Sequence, residues 1–167
     1  MPKFYLFDAR ISYNRSTIKI QSDLEYDTLT PLTKDSILVE NNTFTVDKGK
    51  KWFDIIEFAD STFFAISENV KELFEREKFT GWGCFPIVIN GHEDKNYYAF
   101  YVDAIVGEFT NSEAQLEDSD VKIEFDLSTY KGTDFFSNKG TLLTACTERV
   151  KKIIEKNKFT NVEFEEY

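Results

Sequence analysis

Residues 65–82 read AISENVKELFEREKFTGW, and residues 145–162 read ACTERVKKIIEKNKFTNV. Shifted by 80 residues, the wider stretches 54–82 and 134–162 align without a gap and share nine identities in 29 positions. The identities mark structural positions: Asp54 with Asp134, Ala65 with Ala145, Glu68 with Glu148, Val70 with Val150, Lys71 with Lys151, Glu75 with Glu155, and Lys78-Phe79-Thr80 with Lys158-Phe159-Thr160. The differences keep the physics. Ser67 and Thr147 are both helix N-cap residues, whose hydroxyl can accept a bond from an unpaired amide of the first turn. Val70, Leu73 and Phe74 give one apolar stripe at i, i+3 and i+4, and Val150, Ile153 and Ile154 repeat it. Chance identities in a chain rich in Phe, Lys and Glu would not preserve cap, stripe and helix exit together. The stretch therefore predicts a duplicated unit of short strand, capped helix and strand. Two copies are too few for a solenoid, which needs stacked neighbours on both sides. The expected architecture is α+β, rich in antiparallel sheet, with the two helices packed on the sheet. It forms a single domain over 1–167, with repeat units at about 52–90 and 132–166 and a β-rich segment at 1–50.

Outside the repeat, alternation and turn residues predict further strands. Lys3 to Phe7 is short and aromatic; Ser16 to Gln21 places Ile18 and Ile20 on one face. Ser36 to Glu40 and Thr43 to Val46 bracket Asn41-Asn42 and read as a tight hairpin. Phe53 to Phe58 and Thr62 to Ile66 flank a turn at Ala59-Asp60-Ser61. Trp82 to Asn90 and Tyr97 to Phe109 read as a second hairpin, its later strand bent at Gly107. Val121 to Leu127 alternates again. The helices are expected from Ser67 to about Lys78 and from Thr147 to Lys158, with a last strand from Asn161 to Glu165.

The 17 Phe, 8 Tyr and 2 Trp favour a sheet-rich fold with a large core. Thirty acidic residues against 20 basic ones give a net charge of −10. Such a surface repels nucleic-acid phosphates and attracts basic proteins. No apolar run reaches the roughly 20 residues that cross a bilayer, and Met1 to Ile11 lacks the pattern of a secretory signal. With two cysteines and no Cys-x-x-Cys, the chain does not read as a disulfide scaffold. A cytoplasmic protein without nucleic-acid or membrane partners, monomeric or homodimeric, is the expectation.

Catalytic patterns are scarce. His92, the single histidine, lies in the polar turn Asn90-Gly91-His92-Glu93-Asp94, a poor place for a preorganised base. One histidine and two distant cysteines do not make a zinc site, and Gly81-Trp82-Gly83 is too short for a phosphate cradle. Trp82 is better read as packing on the helix it leaves. Asp54 and Asp134 carry two readings, a paired carboxylate site or a cap on the turn before each strand; repetition in both copies favours the cap. No catalytic residue, metal ligand or cofactor site is assigned. The candidate partner-binding residues are Glu113, Glu117, Asp118 and Asp120, an acidic loop able to steer a basic protein.

The pattern Asp, apolar segment, Ser/Thr-Glu-x-Val-Lys, Lys-Phe-Thr and closing strand resembles the bacterial immunity proteins of polymorphic toxin systems. The group is immunity protein 11, with its relative immunity protein 43. The resemblance covers about residues 52–166 and is carried by Ser67 to Phe85 with Gly81-Trp82 and Pro86, Tyr97-Tyr98 to Val106, Gly132-Thr133-Asp134-Phe135, the helix from Thr147, and Phe159-Thr160-Asn161. Asn161 replaces the usual glycine of the second exit, and Asn tolerates the left-handed backbone that glycine would supply. The first fifty residues match no part of that group. The resemblance implies a non-enzymatic antidote without a cofactor, which binds and neutralises a cognate toxin domain. The alternative is a non-catalytic binding or scaffold domain with another partner.

Overall fold

A computed structural model describes residues 2–9, 16–108, 110–111, 117, 120 and 124–167. The chain is mixed α+β and strand-rich. Its strands are β1 (Phe4–Ala9), β2 (Lys19–Ser22), β3 (Thr43–Lys48), β4 (Ile55–Phe58), β5 (Phe64–Ser67), β6 (Trp82–Ile89), β7 (Tyr97–Val102), β8 (Ile105–Val106), β9 (Phe135–Asn138), β10 (Ala145–Thr147) and β11 (Val162–Glu166). The helices are α1 (Ile37–Glu40), α2 (Glu68–Arg76) and α3 (Glu148–Asn157). Six strands close into a barrel in the order β2-β3-β6-β7-β5-β4, and five form a sheet in the order β11-β1-β10-β9-β8. Among the described residues, no helix is long and apolar enough to cross a membrane.

Helices α2 and α3 begin and end alike. The Ser67 hydroxyl accepts from the Val70 amide, and the Thr147 hydroxyl accepts from the Val150 amide, both at 3.4 Å. Val70, Leu73 and Phe74 are buried on α2; Val150 and Ile154 are buried on α3. Each helix exits through a left-handed lysine, Lys78 or Lys158, both at φ 54°. Three residues on, Gly81 (φ 84°) and Asn161 (φ 62°) repeat the left-handed turn, so asparagine fills the glycine position as expected. Gly81 has a second constraint: a Cβ there would lie 2.0 Å from the Phe135 carbonyl oxygen.

The strand registers carry the same correspondence. Ile55 pairs with Ile66 and Ile56 with Ala65; 80 residues later, Phe135 pairs with Cys146 and Phe136 with Ala145. β2 runs parallel to β4, and β8 runs parallel to β9. The barrel order β6-β7-β5-β4-β2 thus matches the sheet order β11-β1-β10-β9-β8 strand for strand. The strand standing where β7 stands in the first unit is β1, from the opposite end of the chain. Tyr98 pairs with Ile66, and Tyr5 pairs with Cys146; Phe100 pairs with Cys84, and Phe7 pairs with Phe164. Lys71 lies 4.9 Å over the Tyr98 ring, and Lys151 lies 5.0 Å over the Tyr5 ring. The N-terminal strand therefore completes the second unit.

The largest core lies between the two units, with both helices packed on it. Phe7 meets Phe64, Phe74, Phe100, Phe135 and Phe164 with centroids 5.5 to 6.4 Å apart. Aromatic pairs of this geometry add about 0.5–1.5 kcal/mol each beyond simple burial, which accounts for the aromatic excess. A second core fills the barrel around Phe44, Phe58 and Ile89. A third, around Phe4, Phe136 and Val106, covers the other face of the five-stranded sheet.

Two expectations need correction. Ser36 to Glu40 is not a strand of a hairpin but one helical turn, α1, because the Ser36 hydroxyl caps the Leu38 amide and Leu38 is fully buried. Thr43–Lys48 pairs instead with β2 and β6. The strand from Tyr97 stops at Val102, and Ile105–Val106 joins the other sheet, so the segment expected to bend at Gly107 switches sheets earlier. Closure of the barrel goes beyond the local patterns, since it depends on parallel pairings between distant segments, β2 with β4 and β3 with β6. Of the alternating stretch Val121 to Leu127, residues 121–123 lie outside the described residues, and Phe125 makes an isolated bridge.

Candidate functional site

Asp54 and Asp134 belong to the joint between the units. The Thr160 amide and hydroxyl donate to Asp54 Oδ2 at 2.9 and 3.0 Å, and the Asp54 amide donates back to Thr160 Oγ1 at 2.8 Å. The Thr80 amide and hydroxyl donate to Asp134 Oδ2 at 3.0 and 3.3 Å, and the Asp134 amide donates to Thr80 Oγ1 at 3.1 Å. Each unit's aspartate thus clasps the helix exit of the other, the reciprocity of a two-fold relation. The remaining oxygens differ: Asp54 Oδ1 accepts from the Ser67 hydroxyl at 2.8 Å, and Asp134 Oδ1 accepts from Arg149 at 2.9 Å. Both aspartates have a structural role, but the amide each secures is 106 or 54 residues away rather than in its own turn.

On the seam between the units lies a cleft of about 590 Å³. Its lining takes matching pieces from both copies: Leu6–Ala9 and Phe100–Val102 from β1 and β7, with 62–64 and 142–144 from the segments leading into β5 and β10. Pro31 and Leu32 close one side, and Glu163 and Glu165 of β11 close another. The two copies have diverged here. In the first unit, Gly83 pairs with Tyr101, whose ring covers the bare glycine. At the matching pair of the second unit stand Glu163 and Asp8. Phe85 is matched by Glu165, two residues further along the same face.

Two like charges directly opposed across an antiparallel pair are destabilising. Among the described residues, no basic side chain forms an ion pair with Asp8, Glu163 or Glu165, and Lys19 is held by Glu57 at 3.1 Å. Although Asp8 is a solvent-exposed residue at the edge of the cleft, its carboxyl is pushed up to about 6. Loss of hydration is the main cause, with the negative charges of Glu57 and Glu163 adding to it and the Ala9 amide opposing it. Fold stability does not explain this arrangement. Departures from good local design of this kind concentrate at working sites.

The sequence candidates lie elsewhere. Glu113 and Asp118 fall outside the described residues; Glu117 and Asp120 are exposed and do not line the cleft. His92, on a hairpin turn, packs its ring tilted against Trp52 with centroids 4.9 Å apart. Burial pushes the Cys84 thiol up to about 11 and the Cys146 thiol up to about 12, far from a reactive thiolate. Trp82 packs on Phe74 at 5.2 Å and donates its indole N–H to the Phe79 carbonyl, as the helix-exit reading has it. Among the described residues, no three His, Cys, Asp or Glu side chains group as metal ligands. The cleft acids left one trace in sequence: Val-Glu-Phe-Glu-Glu at 162–166 keeps strand alternation but puts glutamate where the first copy has Gly83 and Phe85.

The chain matches no family model, and no curated protein matches it.

Proposed function

We propose that this protein is an immunity protein, which binds a cognate bacterial toxin and neutralises it by protein contact. The observation that carries the reading is the seam cleft, partly apolar and bordered by Asp8, Glu163 and Glu165, with no basic side chain among the described residues of its lining. An apolar patch rimmed by polar groups is what a protein interface presents. Carboxylates at such a rim, here without an ion-pair partner among the described residues, steer a basic partner and speed its capture. The net charge of −10 acts in the same direction at long range. The resemblance to toxin-neutralising proteins supplies the kind of partner.

The test is protection. The gene next upstream is expected to encode a large toxin with a variable C-terminal domain. Co-expression of that domain with the wild-type chain should rescue growth, and the purified chain should retain the domain on a column. The variant carrying Asp8→Lys and Glu163→Lys should fold and fail in both assays. Absence of rescue by the wild-type chain would end this reading.

One observation favours a second reading. A carboxyl that burial and neighbouring negative charge push up to about 6, paired across the strands with another carboxylate, is a pattern of acid–base catalysis. That reading requires turnover of a small molecule by the purified protein, abolished by Asp8→Asn.

A further inference from the structure

We propose that the seam cleft receives an extended segment of the partner protein, in which an arginine or lysine is flanked by an apolar residue. This rests on the protein-binding reading above and names the chemistry of the contact. Among the described residues of the lining, the charged ones are Asp8, Glu163 and Glu165, all acidic and all on one side, on β1 and β11. A cation entering the cleft is therefore drawn to that side. There the partner's charge would relieve the repulsion between the opposed Asp8 and Glu163. Elsewhere the lining offers apolar surface at Pro31, Leu142 and the exposed Leu143, beside the hydroxyl residues Thr62, Ser137 and Thr144. That apolar surface suits an aliphatic neighbour of the basic residue and the methylene stem of the basic side chain itself.

Shape supports a peptide over a free cation. The lining is assembled from short runs of consecutive residues drawn from both units. A volume near 590 Å³ lies in the range that takes a drug-sized ligand, the size of a short peptide. The first unit argues for specificity. Its corresponding positions, Tyr101, Gly83 and Phe85, carry no charge, so this feature belongs to one copy and not to the fold they share.

The experiment is an NMR titration of the full chain with N-acetyl-Leu-Arg-Leu-amide, using N-acetyl-Leu-Gln-Leu-amide as the control. The arginine peptide should produce saturable amide shifts at Leu6–Ala9 and 142–144. The glutamine peptide should bind at least about tenfold more weakly, as should the arginine peptide to the variant Asp8→Asn with Glu163→Gln. Added salt should weaken the arginine peptide and leave the control unchanged. Equal binding of the two peptides, shifts confined to other surfaces, or unchanged binding by the folded double variant would each overturn the proposal. Absence of peptide binding in a protein that still rescues growth would overturn it while leaving protection intact. Peptide binding at the cleft by a protein that protects against nothing would reject the immunity reading alone.

Discussion

Replacing Asp54 with alanine tests whether the repeated aspartates hold the two units together. The Asp54 carboxylate accepts three hydrogen bonds, from the Thr160 amide, the Thr160 hydroxyl and the Ser67 hydroxyl, at 2.8 to 3.0 Å. Bonds to a carboxylate contribute more than neutral ones, but water reaches this joint and replaces part of each, so about 1 kcal/mol apiece is reasonable. Asp54→Ala should therefore cost about 3 kcal/mol, a large share of the 5–15 kcal/mol typical of a whole domain. Thr160→Val keeps the amide bond but removes the hydroxyl and leaves the Asp54 amide without its acceptor, for about 2 kcal/mol. Because both changes break the same contact, the double variant should cost about 1 kcal/mol less than their sum. Asp134→Ala and Thr80→Val should repeat the pattern at the other clasp, where Arg149 takes the place of Ser67. Urea unfolding followed by far-UV circular dichroism measures all of these, with the slope unchanged if the transition remains two-state. A loss below about 1 kcal/mol for Asp54→Ala, accompanied by loss of partner binding, would refute the structural assignment and return the aspartates to the list of functional groups.

The cleft acids should show the opposite sign. Asp8 holds its proton more tightly in the folded chain, with a pKa of about 6, than in the unfolded chain, near 3.8. Its contribution is therefore favourable below pH 4, is lost as pH rises through 6, and stays lost above. Asp8→Asn should raise stability at pH 7.5 by about 1 kcal/mol after allowance for solvent screening, and the gain should vanish at pH 3.5; a loss of stability at neutral pH would contradict the electrostatic account. Gly81→Ala should destabilise strongly, since an L-residue at φ 84° is strained and its Cβ would strike the Phe135 carbonyl, whereas Asn161→Gly keeps the left-handed turn but loses the buried bond from the Asn161 side chain to the Ile55 carbonyl, and should cost about 1–2 kcal/mol in the same unfolding assay. Phe7→Ala removes a ring at the meeting point of five others and should cost about 3–5 kcal/mol, a value that calorimetry would show as a large drop in Tm. Cys146 should resist a thiol reagent until the chain unfolds, because it is buried and its thiolate is disfavoured.

The repeat announced itself through local features. N-cap hydroxyls, the i, i+3, i+4 stripe and the left-handed exits each depend on a few neighbouring residues, so both copies of α2 and α3 could be placed from sequence, including the exchange of Gly81 for Asn161. β1 was harder. Its kinship with β7 rests on Tyr5-Leu6-Phe7 against Tyr98-Ala99-Phe100, two identities at a spacing unrelated to the 80-residue shift. Too short to stand out, that likeness acquires meaning when both strands are seen beside equivalent neighbours. The helical turn at Ile37–Glu40 leaves no such mark, because Ile and Val favour strands in isolation, while the burial of Leu38 in the barrel core decides the matter.

By itself the sequence determined an acidic, aromatic-rich α+β chain with a duplicated, capped strand-helix-strand unit, because those properties follow from composition and from contacts within a turn or two. Barrel closure, the clasps between Asp54 and Thr160 and between Asp134 and Thr80, and the cleft acids were decided by tertiary structure. Each joins residues from distant parts of the chain: 106 positions separate the partners of one clasp, and Asp8 meets Glu163 from opposite termini. No local pattern encodes such a pairing. It exists because two like-shaped units bury their aromatic faces against each other, and that packing fixes which remote side chains share a surface.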